Sequence, residues 1–208
     1  MSKIEGIKVI DNFYGNPDQV RDHALSQLPF PYISAIPGER SEGVNSTFSE
    51  ELRVAFEGII GKSITQWDTF SGENWYADRP TSMNTCFQMI LETENSWIHH
   101  DDTEYAGLIY LTPNPDAKAG TGLFKHKETG ISEYIPSDPL TNLNLHDDRW
   151  DLSKWELTDK IDNVYNRLIM YNGMRYHRSI IPGFGKNYID GRLTQVFFFN
   201  TEGVKHGA

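Results

Sequence analysis

The chain has 208 residues at 23.8 kDa, and its 38% hydrophobic and 23% charged side chains supply one sizeable core, so it is read as one domain over 1–208. A formal net charge of −10 opposes attraction to phosphate backbones, and the basic residues form only scattered pairs such as Arg175 and Arg178, so nucleic acid is not expected as a primary partner. No apolar run approaches the roughly 18–20 residues of a membrane span, the N-terminal stretch lacks a signal peptide's apolar core, and the single Cys86 has no disulfide partner, which together predict a cytoplasmic protein.

Helices come first in the chain. In GNPDQVRDHALSQL, Asn16 can cap, Pro17 suits the first helical position and Asp18 favours the positive helix end, which predicts a helix over 17–27. In STFSEELRVAFEGIIGK, Thr47 or Ser49 offers a cap and Gly61 a stop, with Leu52, Ala55, Phe56, Ile59 and Ile60 at helical spacing between them. Residues 1–83 are accordingly expected to form a helical N-terminal part.

From residue 84 onward the pattern changes to short apolar or alternating runs: NTCFQMILE, AGLIYLT, GLFKHKE, NRLIMYNG and RLTQVFFFN. These read as strands. Cys86 sits inside one of them and reads as a small buried hydrophobe. The connections TPNPDAKAGTG and IPGFGKN are rich in Pro, Gly and Asn, which favours antiparallel pairing over helical crossovers and predicts a sandwich or small barrel. The stretch 136–163 breaks the strand rhythm. It is mostly polar and acidic, carries Trp150 and Trp155, and reads as an insertion that is either a binding loop or a solvated excursion pinned by its tryptophans.

Ahead of the run AGLIYL stands the cluster His99, His100, Asp101, Asp102. In an extended chain residues i and i+2 share a face, so either His99 with Asp101 or His100 with Asp102 can present a ligand pair. A His-x-Asp spacing alone describes a charged turn at a strand end equally well. A metal site needs a third ligand from elsewhere, and His177, after an apolar strand and a Gly turn, is the candidate. Two histidines and a carboxylate would leave three positions of an octahedral ion open. His23, His146 and His206 fall in the first helix, the insertion and the tail, while His126 lies between two lysines that disfavour a dication. Further on, Arg192 precedes a very apolar strand, where a guanidinium needs an anionic partner to offset desolvation, and Thr194 shares its face.

The order HxD … H … RxT resembles the 2-oxoglutarate- and Fe(II)-dependent dioxygenases, and their prolyl-4-hydroxylase-like branch in particular. There the acidic motif is followed by a strand like AGLIYLTPNP, a turn like GTGLF and a distal histidine on a segment like NRLIMYNGMRYHRS. The likeness spans 84–200, while VIDNFYGNPDQVRDHAL and IPGER resemble uncharacterised oxygenase-like proteins of bacteria and their viruses. It implies a mainly β double-stranded β-helix (jelly roll, cupin-like) with N-terminal helices. It also implies iron ligands at His99, Asp101 and His177, and cosubstrate anchors at Arg192 and Thr194, with Tyr110 or Gln88 in the place of a tyrosine that often contacts the cosubstrate. The implied activity is hydroxylation of a peptide or small molecule by dioxygen, with 2-oxoglutarate decarboxylated to succinate and ascorbate as an accessory reductant. The doubled HHDD leaves His100 and Asp102 as a second register. A jelly-roll binding module and a metal-dependent hydrolase or isomerase are the other classes compatible with these motifs.

Overall fold

The computed structural model describes residues 6–33, 37–67, 83–138 and 145–201. Its strands in chain order are β1 (Lys8–Ile10), β2 (Tyr32–Ile33), β3 (Glu39–Arg40), β4 (Ile64–Gln66), β5 (Phe87–Ile90), β6 (Tyr105–Tyr110), β7 (Thr121–His126), β8 (Trp155–Ile161), β9 (Leu168–Asn172), β10 (His177–Ser179) and β11 (Arg192–Thr201). The helices are α1 (Pro17–Leu25) and α2 (Ser46–Ile60). Among the described residues no helix is long and apolar enough to cross a membrane.

Local chemistry accounts for both helices. Asn16 accepts a hydrogen bond from the Gln19 amide with Pro17 at the first helical position, and α1 closes two residues earlier than its pattern suggests. In α2 the cap is Asn45, whose side chain accepts from the Phe48 amide, so Thr47 and Ser49 belong to the first helical turn instead. Gly61 ends the helix in the left-handed conformation at φ 70°, which a residue without Cβ adopts at no steric cost.

All strand pairs are antiparallel. The large sheet runs β1-β9-β6-β11-β5-β3-β2, with β4 also on β11, and the small sheet runs β10-β7-β8. Alternation along β11 separates two faces. Phe197 and Phe199 face the helices, where Phe56 of α2 meets them edge-on or tilted at ring distances of 4.7 and 5.7 Å. On the opposite face, Ala106, Tyr110, Ile169 and Tyr171 pack with Leu123 and Ile161 of the small sheet to fill the space between the sheets. A third cluster of Ile98, Phe124, Leu145, Trp155 and Tyr176 covers the outer side of the small sheet. This is the antiparallel jelly roll that the sequence predicts.

Two differences from the sequence reading stand out. The N-terminal part holds four short strands as well as its helices, and the insertion contributes β8, which pairs with β7. Only the ends of β8, Trp155 and Ile161, are buried, while its middle is solvated, so it carries no apolar alternation to detect. His206 lies outside the described residues.

Candidate metal and cosubstrate site

The strand that would extend the small sheet beyond β10 is a single bridge. The His99 amide donates to the His177 carbonyl at 3.0 Å, and the His177 amide returns the bond to the His99 carbonyl at 2.7 Å. This pins two residues from distant parts of the chain side by side, with ring centroids 4.4 Å apart. Asp101 is held by its amide, which donates to the Gly173 carbonyl at 2.8 Å. Gly173 makes this approach feasible, because a Cβ there would lie 2.4 Å from the Thr103 carbonyl oxygen.

The side chains of His99, Asp101 and His177 thereby offer ligand atoms that all lie within 4.8 Å of one another. Tautomer follows from the partners. Nδ1 of His99 is 3.0 Å from the Trp97 carbonyl, and Nδ1 of His177 is 2.8 Å from the Arg175 carbonyl. A carbonyl only accepts, so both Nδ1 atoms carry the proton and both Nε2 atoms keep a lone pair. His177 Nε2 lies 3.4 Å from Asp101 Oδ2. Burial depresses both imidazoles to about 4, with the two rings opposing each other's charge at His99, and burial raises the Asp101 carboxyl, partly offset by His99 and the Arg40 guanidinium. We therefore read the His177–Asp101 contact as two electron-rich atoms facing one point, not as an ion pair. The donor set of two neutral imidazoles and a carboxylate fits a divalent first-row metal, and a backbone carbonyl fixes each ring as outer partners do in metal sites.

The second register faces elsewhere. His100 stacks on Tyr134 at 4.0 Å and meets Tyr176 edge-on, on the outer side of the small sheet, and the Asp102 side chain is 91% exposed. His126 is also outside the cluster, bound to Asp148 at 3.1 Å and to Thr129.

Between the sheets lies a second polar group. Arg192 is 2% exposed, and its Nε and Nη2 have no hydrogen-bond partner among the described residues. Thr194, fully buried, likewise has an unpartnered hydroxyl. Strand register places Gln88 and Tyr110 on either side of Thr194. The Tyr110 hydroxyl is 2.8 Å from the Thr121 hydroxyl across the barrel, its ring is 5.7 Å from the Arg192 guanidinium carbon, and Gln88 donates to the Pro37 carbonyl. Burial lowers the Arg192 pKa. A desolvated guanidinium with open donors beside a free hydroxyl fits a carboxylate.

Sequence reasoning passed over Tyr171. Its ring lies 4.9 Å from that of His177, and it interacts electrostatically with both Asp101 and Arg192, so it links the two groups. Its signal was register: Tyr171 pairs with Ala106 and so faces the interior. Of the two tryptophans in the insertion, Trp155 is buried and donates to the Asp148 carbonyl, whereas Trp150 is 50% exposed beside Trp97. Cys86 is buried, and burial pushes its thiol up to about 12, as expected of an inert core residue.

The fold is an antiparallel jelly roll that carries the His99, Asp101 and His177 cluster. The chain is similar to a prolyl hydroxylase from Trichoplax adhaerens in complex with a hypoxia inducible factor oxygen degradation domain peptide fragment, at 14% identity and TM-score 0.54 over 96% of this chain and 85% of that one. It is also similar to HygX from Streptomyces hygroscopicus with nickel, 2-oxoglutarate and hygromycin B bound, at 12% identity and TM-score 0.57 over 98% and 86% of the two chains. The iron-bound form of HygX gives 11% identity and TM-score 0.56 over 98% and 85%. At these identities the likeness is one of fold. The chain itself belongs to DUF6445, a family of unknown function, whose model matches residues 2–199. No curated protein matches it.

Proposed function

We propose that the protein is a 2-oxoglutarate- and Fe(II)-dependent oxygenase in which His99, Asp101 and His177 hold the iron and Arg192 with Thr194 holds the distal carboxylate of the cosubstrate. One observation carries this reading: two complementary deficits face the same interior. Lone pairs and a buried carboxylate converge at the triad, and the buried Arg192 guanidinium between the sheets has Nε and Nη2 with no hydrogen-bond partner among the described residues. A dication and a dicarboxylate satisfy both.

Iron with 2-oxoglutarate supplies dioxygen activation, in which the keto acid is decarboxylated to succinate and a substrate C–H bond is hydroxylated. The chain's own part is positional. The Trp97 and Arg175 carbonyls hold the imidazole tautomers, so Nε2 of each ring is available without prior loss of a proton. Arg192 offers a planar fork to a carboxylate, and Thr194 adds a hydroxyl donor from the same face. The Tyr110–Thr121 bond braces the two sheets beside this fork. Tyr171 stands against the His177 ring and within electrostatic reach of Asp101 and Arg192, and its burial keeps the phenol protonated and able to donate.

The test is anaerobic titration of 2-oxoglutarate into iron-loaded and metal-free protein, followed by succinate measurement after admission of air. Tighter binding to the iron form and succinate release are expected. Absence of 2-oxoglutarate binding to the iron form would overturn the proposal, since neither a binding module nor a hydrolase requires the keto acid.

A further inference from the structure

The insertion does more than lengthen the small sheet. The Ile98 amide donates to the Arg149 carbonyl at 3.0 Å, which ties the insertion to the segment that carries His99. Beside this tether opens a cleft of about 560 Å³ that reaches His99 and is walled by Trp97, His100, Tyr134, Tyr176, His146 and Arg149. Its size suits a small organic molecule.

The charge of the lining runs against that of the protein. In a chain of net charge −10, the described residues lining this cleft include one arginine, three histidines and no Asp or Glu, so Arg149 is its one fixed charge. Arg149 is held by rings and not by a carboxylate. Arg53, Arg167 and Arg175 each pair with a carboxylate, but Arg149 makes no ion pair among the described residues. Its guanidinium instead lies 5.6 Å from the Trp97 ring centre and 5.9 Å from that of Trp150, with Nη1 donating to His146 Nε2 at 2.6 Å. Arginine has no acceptor, so His146 receives this bond as a neutral imidazole, and the guanidinium keeps its remaining donors. The indoles and the imidazole position it without neutralising its charge.

We propose that this cleft binds an aromatic carboxylate, with the carboxylate on Arg149 and the flat body against Trp97, Tyr134 and Tyr176. A guanidinium flanked by indole rings and not paired with a carboxylate is suited to a bidentate acid, and the aromatic walls to a planar apolar group. Because the cleft reaches His99, its occupant is the molecule to be oxidised, a role that rests on the oxygenase reading above.

Calorimetric titration with N-acetylphenylalanine and with its neutral amide, on metal-free protein, tests the binding site directly. The acid is expected to bind at least about tenfold more tightly than the amide, a difference of about 1.4 kcal/mol. Arg149→Gln should bring the two probes within about threefold of each other, while Arg149→Lys, which keeps the charge, should retain a preference for the acid. Equal affinities in the wild type, no binding of either probe in the millimolar range, or an undiminished preference in Arg149→Gln would overturn the inference. Failure here leaves 2-oxoglutarate binding to the iron form unaffected, and failure of that binding leaves this titration unaffected.

Discussion

The triad and the Arg192 chamber share one barrel interior, yet they hold their polar groups in opposite ways. At the edge of the small sheet, main-chain bonds fix each residue: His99 and His177 to each other, Asp101 to Gly173, and both Nδ1 atoms to carbonyls. Between the sheets, Arg192 and Thr194 are fixed by strand register and burial while their polar atoms stay open. The first arrangement sets direction, and the second leaves buried donors unengaged by other described residues. A group held by backbone bonds tolerates little change in its side chain, whereas a group held by burial is sensitive to the shape of what fills it.

The largest effect should come from the backbone-held group. His177→Ala removes one of three converging donors, and since loss of an outer partner alone commonly costs 10–100-fold, metal affinity should fall by at least about 100-fold. Metal content after dialysis, with far-UV circular dichroism as the folding control, checks this. Wild-type metal content in the variant would remove His177 from the site.

Acid sharpens the same contrast. His177 is depressed to about 4 in the folded chain against 6.5 unfolded, so between these values the unfolded chain binds the extra proton and stability falls as pH drops. The loss in metal-free protein should reach roughly 1–3 kcal/mol at the lower end, at up to about 1.4 kcal/mol per pH unit. Asp101, whose raised pKa favours protonation of the folded chain, opposes this in the acidic part of the window. Denaturant unfolding of metal-free wild type and His177→Gln from about pH 6.5 to about pH 4 should show a shallower decline in the variant. Parallel curves would mean that His177 is not buried as a neutral ring.

Arg192→Lys tests the burial-held group. Lysine keeps the charge and loses the planar fork, so 2-oxoglutarate affinity should fall by at least about tenfold with metal content unchanged. Equal affinity by calorimetry would mean that no carboxylate sits on Arg192. The smallest effects belong to the second register: His100→Ala and Asp102→Ala should keep metal affinity within about threefold of wild type, since one ring stacks on Tyr134 and the other side chain is solvated. A collapse in either variant would shift the candidate pair by one residue.

Much of this was legible in the sequence, for reasons that differ by element. The strands β5, β6, β7, β9 and β11 carry apolar runs long enough to read, and Asn16, Pro17 and Gly61 mark helix ends by their own stereochemistry. The two- and three-residue strands β1–β4 are too short to show a period, and β8 exposes its middle. Which half of HHDD turns inward depends on pairing with His177, a contact made across the fold that no local pattern encodes. The same holds for Tyr171, whose direction follows from its place opposite Ala106. Arg149 was silent for another reason: its surroundings, the rings of Trp97 and Trp150, come together only in the fold.

On the proposed oxygenase reading, the reciprocal bonds between His99 and His177 also bear on when a metal site forms. The β2–β3 pair joins neighbours in sequence and can close early, but the His99–His177 bridge joins distant segments and carries the loop-closure entropy of the intervening chain. A partly folded chain with its local hairpins formed would therefore present separated histidines and no chelating cluster. Metal uptake at this cluster would then be a late event in maturation, and the rate at which a newly refolded chain gains bound metal would report the closure of the barrel.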